Sequence, residues 1–555
     1  MRSVNTVSAT GDGFDPPESA SLYSIISAAA RDHPQRESLC DALAAPLTCA
    51  ELDTRVRALA SALLDHGVAH GDRVAVLGRT GLAWALLDCA ALAVGAVVVP
   101  VYPTSSPSQI EHILRDSGSA WFGAETAEDA ARLKTAGADT VWGFDEIAAW
   151  ADGAVSPALD ERIARVRADD LAMIVYTSGT TGLAKGCMIT HRNMYVSSAN
   201  TVRQTGAMFA GVTALALPLS HVFGQTMLFA NLAGGARTHL LPGIPELVPA
   251  LVELRPTFLA LIPYALEKIR KFCRSMLDEE AERVAVATGL RMLTAGESAG
   301  SEHAVAAALG GRLRYVISGG ASLDESTAGF YAAFGVQILN CYGLTEAATA
   351  VTVSAPETNR VGTVGKPIPG TAVGIAPDGE VLVRGPHVSP GYWGAAADQR
   401  PVDAQGWLHT GDIGELEDGY LRITGRKKEI LVTSGGKNVA PTPLEDRVRL
   451  HRLVSNCMVV GEARPFVTAL VTLDEQQATR WRAEHPDQDP ATAIQAAVDE
   501  ANSLVSRAES IREFRIVTGD FTVANGLLTS SLKLKRAAIA TAYSADIDQL
   551  YMSRG

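Results

Sequence analysis

Residues 176–186 read Tyr-Thr-Ser-Gly-Thr-Thr-Gly-Leu-Ala-Lys-Gly, a composition suited to surrounding an anion. Gly179, Gly182 and Gly186 have no Cβ and let backbone N–H groups come close to a ligand, Thr177, Ser178, Thr180 and Thr181 add hydroxyl donors, and Lys185 brings positive charge. Phosphate is the ligand that this donor set suits. The spacing is not that of a Walker loop, in which four residues separate the first glycine from a Gly-Lys pair followed by Ser or Thr. Here Lys185 follows Gly182 after two residues and precedes Gly186, so a kinase or P-loop ATPase is disfavoured. A plain surface hairpin would need neither the hydroxyls nor the lysine. The apolar run at 171–175 predicts a strand leading into the loop, and residues 189–193 open a helix after it.

Further runs of polar, glycine and aromatic residues follow one another along the chain. They are Val-Pro-Val-Tyr-Pro-Thr-Ser-Ser at 99–106, Leu-Pro-Leu-Ser-His-Val-Phe at 217–223, Ile-Ser-Gly-Gly-Ala at 317–321 and Asn-Cys-Tyr-Gly-Leu-Thr-Glu at 340–346. Then come Gly-Thr-Val-Gly-Lys-Pro at 362–367, Gly-Trp-Leu-His-Thr-Gly-Asp at 406–412, Gly-Arg-Lys-Lys-Glu-Ile at 425–430 and Leu-Lys-Leu-Lys-Arg at 532–536. Together with the phosphate loop, these runs in this order resemble the adenylate-forming superfamily of acyl-CoA synthetases, luciferases and peptide-synthetase adenylation domains. Within it the chain is most similar to bacterial long-chain fatty acyl-CoA ligases.

The resemblance implies a reaction in two steps. A carboxylate oxygen attacks the α-phosphorus of ATP, pyrophosphate leaves and acyl-AMP remains; the thiol of CoA then attacks the acyl carbonyl. Two anions must meet in the first step, so cations and oriented donors are required where they meet. By resemblance Lys533 bridges the acyl carboxylate and the α-phosphate. Lys535 would point the same way in an extended strand, and Lys533 is preferred because Leu532-Lys533-Leu534 aligns with the family's Gly-Lys-Ile. Glu346 is expected to help hold Mg²⁺, a hard cation that shares its shell with nucleotide phosphates, and Thr345 to donate to the α-phosphate. Tyr342 would stack on adenine within the nucleotide-binding run Asn340, Cys341, Tyr342 and Gly343, with Gly319, Gly320 and Ala321 letting backbone lie against the base. Asp412 would accept from the two ribose hydroxyls, Arg426 would support ribose or phosphate, and His221 corresponds to a residue at the acyl-carboxylate entrance.

For the second step the resemblance implies a rotation of a small domain about Lys428, with Gly435, Gly436 and Lys437 lining a pantetheine tunnel. Plainer readings stand beside these: a solvated basic tail for Lys533, a surface carboxylate for Glu346, a core tyrosine for Tyr342, a turn at Asp412, a satisfied structural histidine at 221 and a glycine turn at 435–436.

Four positions depart from the family pattern. Ala184 replaces a proline in the phosphate loop, Tyr264 stands where long-chain ligases often carry arginine, and Ser530-Ser531 replaces Pro-Thr. None removes a group that the chemistry needs. A serine hydrolase is the competing enzyme class, because Gly296-Glu297-Ser298-Ala299-Gly300 matches the G-x-S-x-G elbow, with 292–293 readable as strand and 304–309 as helix. A non-catalytic ligand-sensing paralogue is a third reading, although Lys533, Glu346 and Asp412 are retained. Within the superfamily the runner-up is an acyl-AMP ligase delivering to a carrier protein or an amine; the retained Thr181-Gly182 favours CoA.

These residues need a scaffold of more than one core, and 555 residues allow two or more domains. Strand-like runs at 73–77, 96–101, 214–217 and 257–262 alternate with helical segments and predict an α/β architecture; shorter strands at 371–375, 380–384 and 420–424 predict a β-rich part. By resemblance the fold is a large N-terminal domain of two α/β subdomains plus a distorted β-barrel, with a small mobile α+β C-terminal domain. The expected limits are a disordered leader at 1–20, the large domain at 21–425, a hinge at 426–429 and the small domain at 430–555. The net charge of −13 opposes general nucleic-acid binding. Seven cysteines without C-x-x-C spacing suggest neither a zinc site nor a disulfide framework and fit the cytoplasm. The longest apolar stretch, 89–102, is short of the ~20 residues a spanning helix needs, which leaves only peripheral membrane contact.

Overall fold

The computed structural model describes residues 5–8, 13–177, 184–274, 276–297, 299–300, 303–529 and 532–552. The chain divides into two compact units, one of residues 1–321, 325–410 and 416–422, the other of residues 322–324, 411–415 and 423–555. The fold is the expected mixture of α/β sheets, a β-only sheet and a smaller α+β unit.

In the first unit a six-stranded sheet runs in the order Val141–Gly143, Trp121–Ala124, Arg73–Leu77, Val97–Val101, Leu171–Thr177, Lys185–Thr190. Its central strands are almost continuously apolar and buried, as parallel strands covered on both faces require. The apolar stretch at 89–102 is shared between helix Leu82–Ala93 and strand Val97–Val101. Among the described residues, no helix is long and apolar enough to cross a membrane. A second sheet follows the order Val212–Leu215, Arg237–Leu240, Glu37–Asp41, Leu47–Thr48. A third follows the order Phe258–Leu261, Tyr315–Ser318, Gln337–Leu344, Thr349–Val353, Lys366–Pro367. Helix Pro107–Ser117 shows how local sequence sets an element's limits: Ser106 and Gln109 form a capping box, Pro107 takes the first turn, and Gly118 closes the helix at φ 62°.

The β-only sheet has the order Asn5–Ser8, Ala372–Ile375, Glu380–Arg384, Leu408–Glu417, Tyr420–Arg426, and the division between units falls within its last two strands. Its first member corrects the expectation of a disordered leader. Thr6 and Val7, β-branched and flanked by polar residues, pair antiparallel with Gly374 and Val373, and Phe14 N–H donates to Asn200 Oδ1 at 2.8 Å.

In the second unit the strands Val454–Val460, Val467–Leu473 and Ile511–Ile516 form a sheet, antiparallel then parallel, packed with helices Pro441–Arg449 and Pro490–Asn502 around Leu444, Val471 and Ile494.

Helix Leu82–Ala93 is buried on nearly every side, and it carries Asp88 at 0 % exposure. Its carboxyl faces the side-chain amide of Gln225, whose Oε1 has no other partner among the described residues and whose Nε2 donates to Leu219 O at 2.9 Å. A charged carboxylate is costly there. Burial pushes the acid up to about 8, so that a proton stays on Asp88 and can serve the Gln225 oxygen. Unfolding returns the group to its ordinary value of 3.8. Between those values folding takes up a proton, and stability falls as pH rises until the folded group ionises too. Asp88→Asn should remove this slope, so that its stability relative to wild type rises by roughly 4 kcal/mol between pH 4.5 and pH 8. Urea denaturation at the two pH values checks it, and a pH-independent difference would refute a buried neutral acid.

Candidate active site

The strand Gln337–Leu344 changes its pairing half-way. Gln337–Asn340 pair parallel with Tyr315–Ser318, while Cys341–Leu344 pair antiparallel with Thr349–Val353 through an irregularity between Tyr342 and Gly343. Ligands in open α/β sheets bind beyond the carboxyl ends of parallel strands, and here that edge holds Gly319, Gly320 and Ala321 beside Asn340, Cys341 and Tyr342. The approach leaves no room for side chains. A Cβ on Gly319 would lie 2.4 Å from Cys341 Sγ, and one on Gly343 only 1.3 Å from Thr349 O. Gly320 has φ +87°. Thr345 and Glu346 sit on a single 3₁₀ turn, Thr345–Ala347, followed by Ala348 and Thr349 at φ 44° and 85°. Two successive non-glycine residues in the left-handed region mark a strained turn held by its surroundings.

The phosphate loop closes a hairpin. Strands Leu171–Thr177 and Lys185–Thr190 pair antiparallel with Thr177 opposite Lys185. Ser178, Gly179, Thr180, Thr181 and Gly182 lie outside the described residues. Lys185 Nζ donates to Gln399 Oε1 at 2.5 Å and stands 5.4 Å from the centre of the Tyr392 ring. Tyr392 O–H donates to Glu346 Oε1 at 2.6 Å. The loop lysine and the acidic residue of the 340–346 run are thus brought to one tyrosine. Burial, and next the Glu346 charge, push the Tyr392 phenol well above its ordinary range, so it stays a donor. Ser389 N–H donates to Glu346 O at 2.8 Å.

Sequence reasoning missed Tyr392, Ser389 and Gln399. The available signal was Gly391-Tyr392-Trp393, an aromatic pair in a stretch rich in glycine and proline. Ala184, the proline replacement, has its carbonyl 2.8 Å from His112 Nε2.

His221 caps helix Val222–Gly234, its Nδ1 accepting from Phe223 N–H at 3.0 Å, and its ring meets Tyr102 edge-on at 6.4 Å. Nδ1 is therefore the acceptor, and the other ring nitrogen carries the proton of the neutral form. The loop before it is pinned by Thr80, whose Oγ1 donates to Leu217 O and accepts from Leu219 N–H. Phe223 in turn lies 3.8 Å from the place a Gly319 Cβ would take, which brings the start of this helix to the glycine edge. Tyr264 carries its own cation: Lys268 Nζ is 4.7 Å from the ring centre, so a charge does stand beside the position that lacks arginine.

The second unit brings two more predicted residues together. Arg426 Nε donates to Asp412 Oδ1 at 2.8 Å, and the Asp412 side chain is buried. Lys427 N–H donates to Gly411 O, and the exposed Lys428 follows in the turn at 427–429. Gly435 and Gly436 form the turn between strands Leu431–Val432 and Asn438–Val439, with Gly436 at φ +77°, and Lys437 Nζ lies 3.5 Å from Glu509.

Around Lys533 the backbone is not the extended strand in which Lys533 and Lys535 would point the same way. Leu532 has φ 62°, Leu532 N–H donates to Thr529 O, Lys533 N–H donates to Thr529 Oγ1, and Thr529 N–H returns a bond to Lys533 O. Lys533 therefore stands on a tight turn, and Lys535 caps helix Arg536–Ala542, so the two lysines are not equivalent. The family's glycine before this lysine has a physical reason, since the left-handed region costs any other residue.

Among the described residues no group of three or more His, Cys, Asp and Glu gathers to hold a metal. A lone carboxylate, Glu346, next to the hydroxyl-bearing Thr345 on one turn fits a hard cation that arrives with phosphate oxygens, as Mg²⁺ does. The hydrolase elbow loses its context. Residues 292–293 belong to helix Glu279–Ala295, which ends at Gly296 with φ 71°, so no strand precedes the motif, and Ser298 lies outside the described residues.

Residues 26–393 match the AMP-binding enzyme family, and residues 428–555 match the AMP-binding enzyme C-terminal domain. The long-chain-fatty-acid–CoA ligase FadD15 of Mycobacterium tuberculosis is 37 % identical over 93 % of this chain and 94 % of its own. Long-chain-fatty-acid–CoA ligase ACSBG2 of Gallus gallus is 28 % identical over 87 % of this chain and 74 % of its own. In fold, the adenylation domain of a carboxylate reductase from Mycobacterium chelonae superposes with a TM-score of 0.76 at 23 % identity, covering 96 % of this chain and 91 % of that one. The o-succinylbenzoate CoA synthetase of Bacillus subtilis, in complex with its acyl-adenylate intermediate, gives 0.73 at 20 %, covering 95 % and 98 %.

The glycine edge yields a direct test. Gly343→Ala places a methyl where Thr349 O stands, so the two strands must separate around Glu346. At least ~10-fold loss of nucleotide affinity is expected, with destabilisation of roughly 2 kcal/mol or more. Calorimetric titration with ATP and thermal unfolding check it; wild-type affinity would refute the tight edge.

Proposed function

The chain belongs to the AMP-binding enzyme family, and from that premise we propose that it activates a medium- or long-chain fatty acid as acyl-AMP with ATP and passes the acyl group to CoA. It is an acid–thiol ligase of the AMP-forming kind. The observation that carries the reading is the meeting of the phosphate-loop lysine and the Glu346 carboxylate at Tyr392, beside a glycine-lined strand edge. The preference for a long aliphatic acid rests on relatives named as long-chain-fatty-acid–CoA ligases.

In this reading Thr177, Ser178, Gly179, Thr180, Thr181, Gly182 and Lys185 hold the β- and γ-phosphates. Tyr342 takes the adenine against Gly319, Gly320 and Ala321, within the run that includes Asn340, Cys341 and Gly343. Asp412, oriented by Arg426, accepts from the ribose hydroxyls. Thr345 donates to the α-phosphate, and Lys533 offsets the charge that builds as carboxylate meets phosphorus. Mg²⁺, held by Glu346 and the nucleotide, would neutralise charge on the phosphate oxygens. His221 stands at the acyl entrance in the tautomer that its cap selects.

For transfer, this reading takes Lys428, in a hinge at 426–429 before a small domain at 430–555, as the pivot, and runs the pantetheine path along Gly435, Gly436 and Lys437. A cytoplasmic location suits seven free cysteines. Delivery to a carrier protein or an amine is the lesser reading, since Thr181-Gly182 is retained.

The reading is tested by pyrophosphate release from a panel of acids, acetate to long-chain and aromatic, with and without CoA. AMP and pyrophosphate should form, with medium or long aliphatic acids preferred over acetate, and thioester should appear only with CoA. ADP and inorganic phosphate as main products would sink it.

Lys533→Ala should slow acyl-AMP formation at least ~100-fold, roughly 3 kcal/mol of lost transition-state stabilisation, while Lys535→Ala costs far less. Single-turnover acyl-AMP formation by the two variants measures this, and equal losses would move the role away from Lys533.

A further inference from the structure

We infer that Tyr392 is a positioning residue for the nucleotide-activating step, setting the Lys185 ammonium and the Glu346 carboxylate apart and aimed before ATP arrives. This rests on the reading of Lys185 and Glu346 as phosphate and metal residues, and adds a residue that neither the loop nor the 340–346 run contains.

The geometry that supports it is specific to this tyrosine. Its backbone is tied to the strand that carries Lys185. Tyr392 bridges Cys187, Met188 N–H donates to Gly391 O at 3.0 Å on one side, and Trp393 N–H donates to Gly186 O at 2.7 Å on the other. Any shift of the strand after the phosphate loop therefore moves Tyr392 with it. Its hydroxyl reaches the opposite element, bonding Glu346 Oε1, while Ser389, three residues back, holds the Glu346 carbonyl. Ser389 is itself fixed to the same strand, its Oγ donating to Met188 O at 2.6 Å. The turn that carries Glu346 and the strand that carries Lys185 are thus joined twice, once through backbone and once through a phenol.

The chemistry explains why a tyrosine suits the place. An ammonium and a carboxylate near one another attract strongly in a partly desolvated cleft, and a direct pair would spend both charges on each other instead of on phosphate and cation. A phenol offers each a neutral partner: its O–H donates to the carboxylate, and its ring face receives the ammonium, which rests on Gln399 at its outer side. Each partner is weaker than the ligand group that replaces it. ATP can take Lys185 from the ring and Gln399 without breaking an ion pair, and Glu346 stays oriented for the cation. A tyrosine serving only as core would not place its hydroxyl on a carboxylate of the site.

The test uses the full-length enzyme with α,β-methylene-ATP, which cannot be split between the α- and β-phosphates, and measures its affinity by calorimetry with and without Mg²⁺. Tyr392→Phe keeps the ring and loses the hydroxyl. It should bind the metal-free analogue as wild type does, but lose about tenfold of the affinity gained with Mg²⁺, the worth of one charge-assisted hydrogen bond. The half-saturating Mg²⁺ in pyrophosphate release should rise by the same factor with the thermal midpoint unchanged. Tyr392→Leu should weaken metal-free binding as well, because Lys185 then loses its ring. Glu346→Gln and Lys185→Ala separate the two failures. If Glu346→Gln abolishes the Mg²⁺-dependent gain while Tyr392→Phe keeps it in full, the positioning role is wrong and the site reading stands. If Glu346→Gln also keeps the gain, the metal assignment falls, and the inference with it.

Discussion

The backbone contact between Gly343 and Thr349 is the constraint on which the site depends. With a Cβ position only 1.3 Å from a carbonyl oxygen, the strand Gln337–Leu344 and its antiparallel partner can close only at glycine. That closure is what turns a strand paired in parallel on one side into one paired antiparallel on the other, and it delivers Tyr342, Thr345 and Glu346 to the carboxyl edge of the sheet. The two left-handed residues that follow, Ala348 and Thr349, each cost of order 1–3 kcal/mol. Their conformation is held by Thr226, which bonds Ala348 O and Thr349 Oγ1 from the buried helix Val222–Gly234, and by Ser197, which accepts from Ala350 N–H. Strain at the turn and packing behind it are two parts of one arrangement.

Charge is managed by distance from water. In the first unit the one acid on the largely buried helix Leu82–Ala93, Asp88, keeps its proton, whereas Glu346 lies at a partly open edge and accepts from the Tyr392 hydroxyl. In the second unit the buried Glu445 is balanced by Arg536 through two short bonds, at 2.7 and 2.6 Å, and its Oε1 also accepts from Val459 N–H. Such a pair is costly to break from one side only. Arg536 opens the helix directly after the Lys533 turn, so the buried pair anchors one end of that turn while the exposed Lys533 stands away from it.

How much could be read beforehand varied with the range of the interaction. The strand at 73–77 and the helix opening at 189–193 follow from periodicity and side chains a few residues apart, and they were legible. The strand at Asn5–Ser8 was not, because its partner is some 370 residues away and its own residues are unremarkable. The conformation at Lys533 was not legible; three hydrogen bonds with Thr529 and a left-handed Leu532 make it a turn, and no propensity announces leucine in that conformation. The hydrolase motif was legible as letters, but the helix before it removes the geometry that those letters need.

The sequence by itself determined the chemistry: a glycine- and hydroxyl-rich loop with a lysine, a carboxylate suited to a hard cation, a basic C-terminal run, and the order that identifies the family. These are properties of residue type and local spacing, which one strand of text carries completely. Only the tertiary structure decided which groups meet. Tyr392 stands 46 residues from Glu346, with Lys185 more than 200 residues before it. The partnership is set by a strand bridge and a turn that exist only once the sheets have formed, because contact between side chains so distant in the chain depends on backbone geometry and not on composition.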